Sequence, residues 1–110
     1  MDLSGFCVVQ TTIDDEIRAE EIAEALIERK LAACVQIALV TSHYVWKDAP
    51  AKEKEFLLSA KARTADFDLL AAAIRELHSY ETPEIIALPV VAGAAAYLDW
   101  ARRATERGAQ

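Results

Sequence analysis

The chain contains little glycine, proline, cysteine or histidine. Its 110 residues include three glycines, three prolines, two cysteines and two histidines. Gly5, Gly93 and Gly108 are too scattered to form a phosphate-binding loop. No CxxC or HxxxH spacing occurs, so a closed structural zinc site is not expected. We also expect no organic cofactor.

The chain also lacks a surplus of positive charge and a long apolar run. Its 12 Lys and Arg stand against 18 Asp and Glu, whereas nucleic-acid binding needs a concentrated basic surface. No segment approaches the roughly 18 apolar residues of a membrane span, and no basic leader precedes the first apolar run. We therefore expect a cytoplasmic protein without nucleic-acid or membrane partners. In that reducing compartment Cys7 and Cys34 are expected to be buried thiols.

The residues that are present suit one folded domain. Hydrophobic residues make up 54% of the chain, and a domain of this length buries roughly two thirds of the surface that its unfolded chain exposes. Because no repeat, linker or low-complexity segment occurs, we expect a single domain over residues 1–110.

Hydrophobic periodicity predicts the element order β-α-β-β-α-β followed by a C-terminal helix. The predicted strands cover residues 6–12, 34–46, 52–63 and 84–91, and the predicted helices run from about 15 to 31, 65 to 78 and 94 to 107. Pro89 cannot donate to a strand ladder, so the fourth strand is expected at a sheet edge or with a bulge. Tyr97, Leu98 and Ala101 are expected to face inward from the last helix.

This order is typical of the ferredoxin-like split βαβ fold, an α+β arrangement with two helices on one face of an antiparallel sheet. The other face would be open to solvent. The long hairpin nevertheless places apolar side chains there, namely Ala38, Val40, Tyr44, Trp46 and Leu57. A small monomer rarely exposes such a patch, so we predict an oligomer in which neighbouring hairpins cover it.

Several short motifs, in this order and at these spacings, carry a family resemblance: "LAACV", "SHYVW", "EFLLSAK", "YETPEI", "LPV" and "YLDW". The chain resembles the CutA family of divalent-cation tolerance proteins from Phe6 to about Arg103. That resemblance implies a homotrimer of ferredoxin-like subunits, similar in shape to the PII signalling proteins. It also implies an association with Cu(II) or another divalent cation, and no enzymatic reaction.

The resemblance further implies a polar cleft between subunits, lined by Trp46, Glu55, Lys61, Tyr80, Thr82 and Glu84. Some family members have a cysteine and a second histidine where this chain has Thr11 and Leu77. Of that set only His78 is present here. His78 is therefore one candidate metal ligand. Cys34, a sulfur ligand outside that set, is the other.

Each candidate residue also has a structural interpretation. His78 can bond the last carbonyls of the helix that it ends, and Cys34 can serve as a small buried apolar group. Pro83 makes the segment "HSYETPEI" a turn, which can exist with or without a binding site. Glu55 and Lys61 lie on one face of one strand, about 20 Å apart, so each needs its own partner, either an ion pair or a ligand.

Two further functions remain open from the sequence. One is a PII-like sensor that binds an anion or small molecule in the intersubunit cleft through Lys61 and backbone groups. The other is an enzyme that acts in the same cleft through Tyr80, Glu55 and Lys61. Both depend on an assembly, because the sequence does not bring acids and bases together within one chain.

Overall fold

A computed structural model describes residues 4–108 of the protein, with four strands and three α-helices in that range. The strands are β1 (Phe6–Ile13), β2 (Cys34–Trp46), β3 (Ala49–Arg63) and β4 (Ile86–Pro89), and the helices are α1 (Glu16–Glu28), α2 (Phe67–Leu77) and α3 (Ala95–Ala104). A single 3-10 turn, Thr64–Asp66, precedes α2. The predicted order of elements is confirmed.

The four strands form one antiparallel sheet in the order β2-β3-β1-β4. This is the ferredoxin-like arrangement, and it confirms the predicted α+β fold. Strand β4 pairs only with β1, so Pro89 lies on an edge strand as expected. The strand is shorter than the predicted run of residues 84–91, although the Val90 N–H just beyond it still donates to the Phe6 carbonyl at 3.0 Å.

The ends of the first two helices depend on local backbone and capping features. The Asp15 carboxylate accepts a hydrogen bond of 2.9 Å from the Ile17 N–H at the start of α1. The helix ends before the predicted residue 31 because Lys30 adopts a left-handed φ of 57°. Helix α2 starts later than predicted, because Thr64–Asp66 form the 3-10 turn before it, and Asp66 at its N-cap binds Arg107 without capping the helix.

The core lies between the sheet and the pair α1 and α2. Its largest fully buried apolar side chains are Val9, Ile13, Ile22, Leu26, Leu58, Leu70 and Ile74. Cys7 faces this core and is 1% exposed. Cys34 is only half-buried, which corrects the prediction, because it pairs with Lys61 on the opposite face of the sheet. No disulfide joins Cys7 and Cys34.

Helix α3 lies over the end of the other face of the sheet. Ala101 is buried and Leu98 is half-buried, as predicted. Tyr97, by contrast, is 44% exposed, so its predicted inward position is wrong. The helix contacts the sheet through its C-terminal half, and Tyr97 lies in the N-terminal half.

Candidate functional site

One face of the sheet is not covered by α1 and α2, and we call it the open face. Antiparallel pairing places residues that lie opposite each other on the same face, so the register identifies its members. They include Phe6, Val8, Gln10 and Thr12 on β1, Cys34, Gln36, Ala38, Val40, Tyr44 and Trp46 on β2, Glu55, Leu57, Ser59, Lys61 and Arg63 on β3, and Ile86 and Leu88 on β4. The predicted apolar side chains of the hairpin do lie on this face. Trp46 is 59% exposed in the single chain.

A buried carboxylate stands out on the open face. Glu55 is only 7% exposed, although no helix covers it. The Tyr80 hydroxyl, from the loop after α2, donates a hydrogen bond of 2.7 Å to its Oε2 atom. Burial, this hydrogen bond and the charge of Glu55 raise the pKa of the Tyr80 hydroxyl well above its ordinary value. The phenol therefore stays protonated and solvates the carboxylate.

His78 joins this pair through the main chain. Its Nε2–H donates to the Thr12 carbonyl at 2.8 Å, and its Nδ1 accepts from the Tyr80 N–H at 3.0 Å. A carbonyl can only accept and an amide N–H can only donate, so the ring is the neutral Nε2–H tautomer. Its edge packs against the Tyr80 ring, with centroids 4.7 Å apart. A metal ion could bind His78 only by displacing one of these two bonds.

Lys61 has a different environment on the same face. Its ammonium donates a hydrogen bond to the Gln36 side-chain carbonyl. Neither Lys61 nor Glu55 takes part in any of the three ion pairs found within residues 4–108. In the single chain their partners are thus neutral groups, and the ion pairs or ligand contacts expected in the assembly stay a prediction.

The remaining candidates do not join this cluster. Trp46 lies at the hairpin tip, with the Lys47 ammonium 5.9 Å from its ring centre. Thr82 and Glu84 are exposed in the loop between α2 and β4. Cys34 lies two strands and four residues from Thr12, roughly 16 Å. Within residues 4–108, no three His, Cys, Asp or Glu side chains are grouped so that they could hold a metal ion.

Two members of this environment were missed from the sequence. The Thr12 carbonyl is a main-chain group without any sequence signal. Gln36 could have been found by pairing the two arms of the hairpin, because it lies diagonally across from Lys61 on the same face. The chain thus gathers Glu55, His78 and Tyr80, and leaves Lys61 in a separate contact.

Comparison with known proteins identifies the family of the chain. Residues 7–104 match the family model of the CutA1 divalent ion tolerance protein. The chain belongs to this family.

A CutA relative from Thermus thermophilus, named a divalent-cation tolerance protein, is 43% identical over 99 residues, which are 89% of this chain and 96% of that protein. The human protein CutA is 42% identical over 96 residues, which are 86% of this chain but only 54% of that protein. The chain therefore spans about half the length of this human relative.

The fold of the CutA family is equally clear in solved structures. The structure of the periplasmic divalent cation tolerance protein CutA from Archaeoglobus fulgidus superimposes with a TM-score of 0.89 at 34% identity. The superimposed region covers 92% of this chain and 99% of the Archaeoglobus fulgidus chain. The CutA name refers to ion tolerance and not to a reaction. Within residues 4–108, no helix is both long and apolar enough to cross a membrane.

Proposed function

We propose that this CutA-family chain contributes to divalent-cation tolerance as a homotrimer that binds Cu(II) or a similar ion weakly and catalyses no reaction. The observation that carries the proposal is the open face, on which apolar side chains surround a buried carboxylate. Family membership supports the tolerance role.

The trimer is supported by the position of the unpaired edges of the sheet. Strands β2 and β4 are at opposite edges, and each has one side without a partner strand among residues 4–108. Both carry exposed apolar side chains, including Leu39 at 62% and Ile86 at 47% exposure. If the β2 edge of one subunit contacts the β4 edge of the next, the contact is head-to-tail. Such contacts leave no free edge only when the subunits close into a ring.

The ion site would combine groups from more than one subunit. Imidazole and carboxylate are ligands that suit copper, so the chemistry of His78 and Glu55 fits such an ion. Both His78 nitrogens already hold main-chain bonds, however, and residues 4–108 of one chain do not gather a complete ligand set. Weak binding shared between chains follows from this arrangement.

Calorimetric titration with Cu(II) and Zn(II) tests the ion site, with His78→Ala as the probe. His43→Ala is the matched control, because His43 is the other histidine and is exposed on the hairpin. We expect the copper signal to fall in His78→Ala and to persist in His43→Ala. Equal binding by both variants would remove His78 from the site. Heat on adding ATP, with none from metal ions, would support the sensor function instead.

Two accompanying proposals have separate tests. Sedimentation equilibrium of the wild type should give three times the mass of the chain, and a monomer at micromolar concentration would refute the trimer. We also propose a cytoplasmic location. Cell fractionation checks it directly, and recovery in the periplasm, as the name of the Archaeoglobus fulgidus relative states for that protein, would contradict it.

A further inference from the structure

Helix α3 is attached to the rest of the chain differently from α1 and α2. Only Ala101 within the helix is buried, whereas three residues of α1 and four of α2 are. Its two large aromatic side chains, Tyr97 and Trp100, are 44% and 41% exposed and contact each other, with ring centroids 5.4 Å apart. Apolar packing within the chain therefore contributes little to holding α3 in place.

Polar contacts hold its C-terminal end instead. The Arg63 Nε donates to the Thr105 Oγ1 at 2.9 Å, and its Nη2 donates to the Arg102 carbonyl at 2.7 Å. Thr105 is 2% exposed, and its hydroxyl in turn donates to the Ala101 carbonyl. A cation bound to the last carbonyls of a helix also interacts favourably with the helix dipole.

A second arginine ties the segment after α3 to the other two helices. Both terminal nitrogens of Arg107 donate to the Asp66 carboxylate, at 3.0 and 2.9 Å, and Nη1 also donates to the Lys30 carbonyl at 3.0 Å. The side chains of Arg107 and Asp66 are 30% and 11% exposed. A bidentate pair with this much shielding is stronger than the ordinary surface ion pair.

The covered surface is one end of the open face. Phe6 and Arg63 are cross-strand partners there, and the Arg102 guanidinium lies 5.8 Å from the centre of the Phe6 ring. Phe6 is only 5% exposed beneath it. Moving α3 away would therefore uncover apolar surface that is continuous with the rest of the open face.

We propose that α3 is a lid over the Phe6 end of the open face, held by Arg63 and latched by the Arg107–Asp66 pair, and that it opens more often as a unit when this pair is broken. Elements with few buried apolar contacts open at lower free energy than the core, so the polar latch sets the opening of α3. The latch thereby controls how much of the open face another chain can contact. The inference does not depend on metal binding.

Hydrogen exchange of the full-length protein in its native assembly, followed by mass spectrometry, tests the latch. In the wild type, the amides of Ala95–Ala104 should exchange faster than those of α1 and α2. Asp66→Asn and the milder Arg107→Lys should each accelerate exchange in α3 on the order of tenfold, the effect of losing a charged bidentate bond. Exchange in α1 and α2 should not change.

Arg29→Gln is the matched control, because it removes the exposed Arg29–Glu76 ion pair between α1 and α2. It should leave the exchange of α3 as in the wild type. Three results would overturn the proposal: unchanged exchange of α3 in both latch variants, equal acceleration of all helices, or equal acceleration of α3 by the control. Arg107→Lys retains the charge and most of the side chain, so the test remains available if Asp66→Asn does not fold.

Discussion

The contact between Tyr80 and Glu55 offers the sharpest test of the site. Tyr80→Phe removes only the hydroxyl that donates to Glu55 Oε2 at 2.7 Å and leaves the ring packed against His78. Glu55 is 7% exposed, so water can replace the lost donor only in part. Hydrogen bonds to charged groups contribute about 1.5–3 kcal/mol each to the free energy of unfolding. Because Tyr80 itself is half-buried, we expect the lower figure, about 1.5 kcal/mol, as the fall in the free energy of unfolding.

Urea denaturation at pH 7 measures this change as a shift of the midpoint at constant slope. Protein concentration must be the same in all samples, because an oligomer gains stability from association. A double-mutant cycle with Glu55→Leu, which removes the acceptor oxygens, then isolates the pair. We expect a coupling free energy of about 1 kcal/mol. If the two changes add to within about 0.4 kcal/mol, the contact does not stabilise the fold and the reasoning fails.

Three other predictions concern Thr11, the ionisation of Tyr80, and the open face. Thr11 is 1% exposed and its hydroxyl has no hydrogen-bond partner, so Thr11→Val should raise the free energy of unfolding by about 1 kcal/mol in urea denaturation. The folded state holds the Tyr80 proton more tightly than the unfolded chain, so stability should fall as the pH rises above about 10, and less so in Tyr80→Phe. Ala38→Asp places a charge on the open face and should dissociate the assembly in sedimentation, while Ala72→Asp on the exposed side of α2 should not.

Each of these predictions has a result that would contradict it. Loss of stability in Thr11→Val would mean that the hydroxyl has a partner, and Thr12→Val, half-buried on the open face, is the control. Identical alkaline unfolding of the wild type and Tyr80→Phe would show that the phenol ionises equally in both states. An Ala38→Asp variant that keeps its mass would place Ala38 outside the interface.

Much of the fold could be predicted because it depends on local patterns. The alternation along β2 and β3 identified the two faces of the hairpin, and Pro89 identified an edge strand. The ends of the helices were less accurate. Helix α2 shows why, since Thr64–Asp66 form a 3-10 turn that the hydrophobic spacing did not distinguish from the first turn of the α-helix.

The candidate site was predicted only in part. Family motifs singled out Glu55 and Tyr80, which the structure joins by a hydrogen bond, and their role in a binding site stays a prediction. They did not indicate that His78 uses both ring nitrogens, because its partners are a carbonyl and an N–H of the main chain. Within one chain Lys61 bonds Gln36 across the hairpin and Glu55 bonds Tyr80 from the loop after α2, so their expected ion pairs or ligand contacts stay predictions for the assembly.

The sequence by itself determined the order of the elements, the two apolar faces of the long hairpin and the CutA family. Those features follow from periodicity and short motifs, which require information only from neighbouring residues. The tertiary structure alone decided that Tyr80 reaches Glu55 and that Arg107 holds Asp66. Such contacts join residues 25 and 41 positions apart, so they depend on strand register and on the paths of loops, which no local pattern encodes.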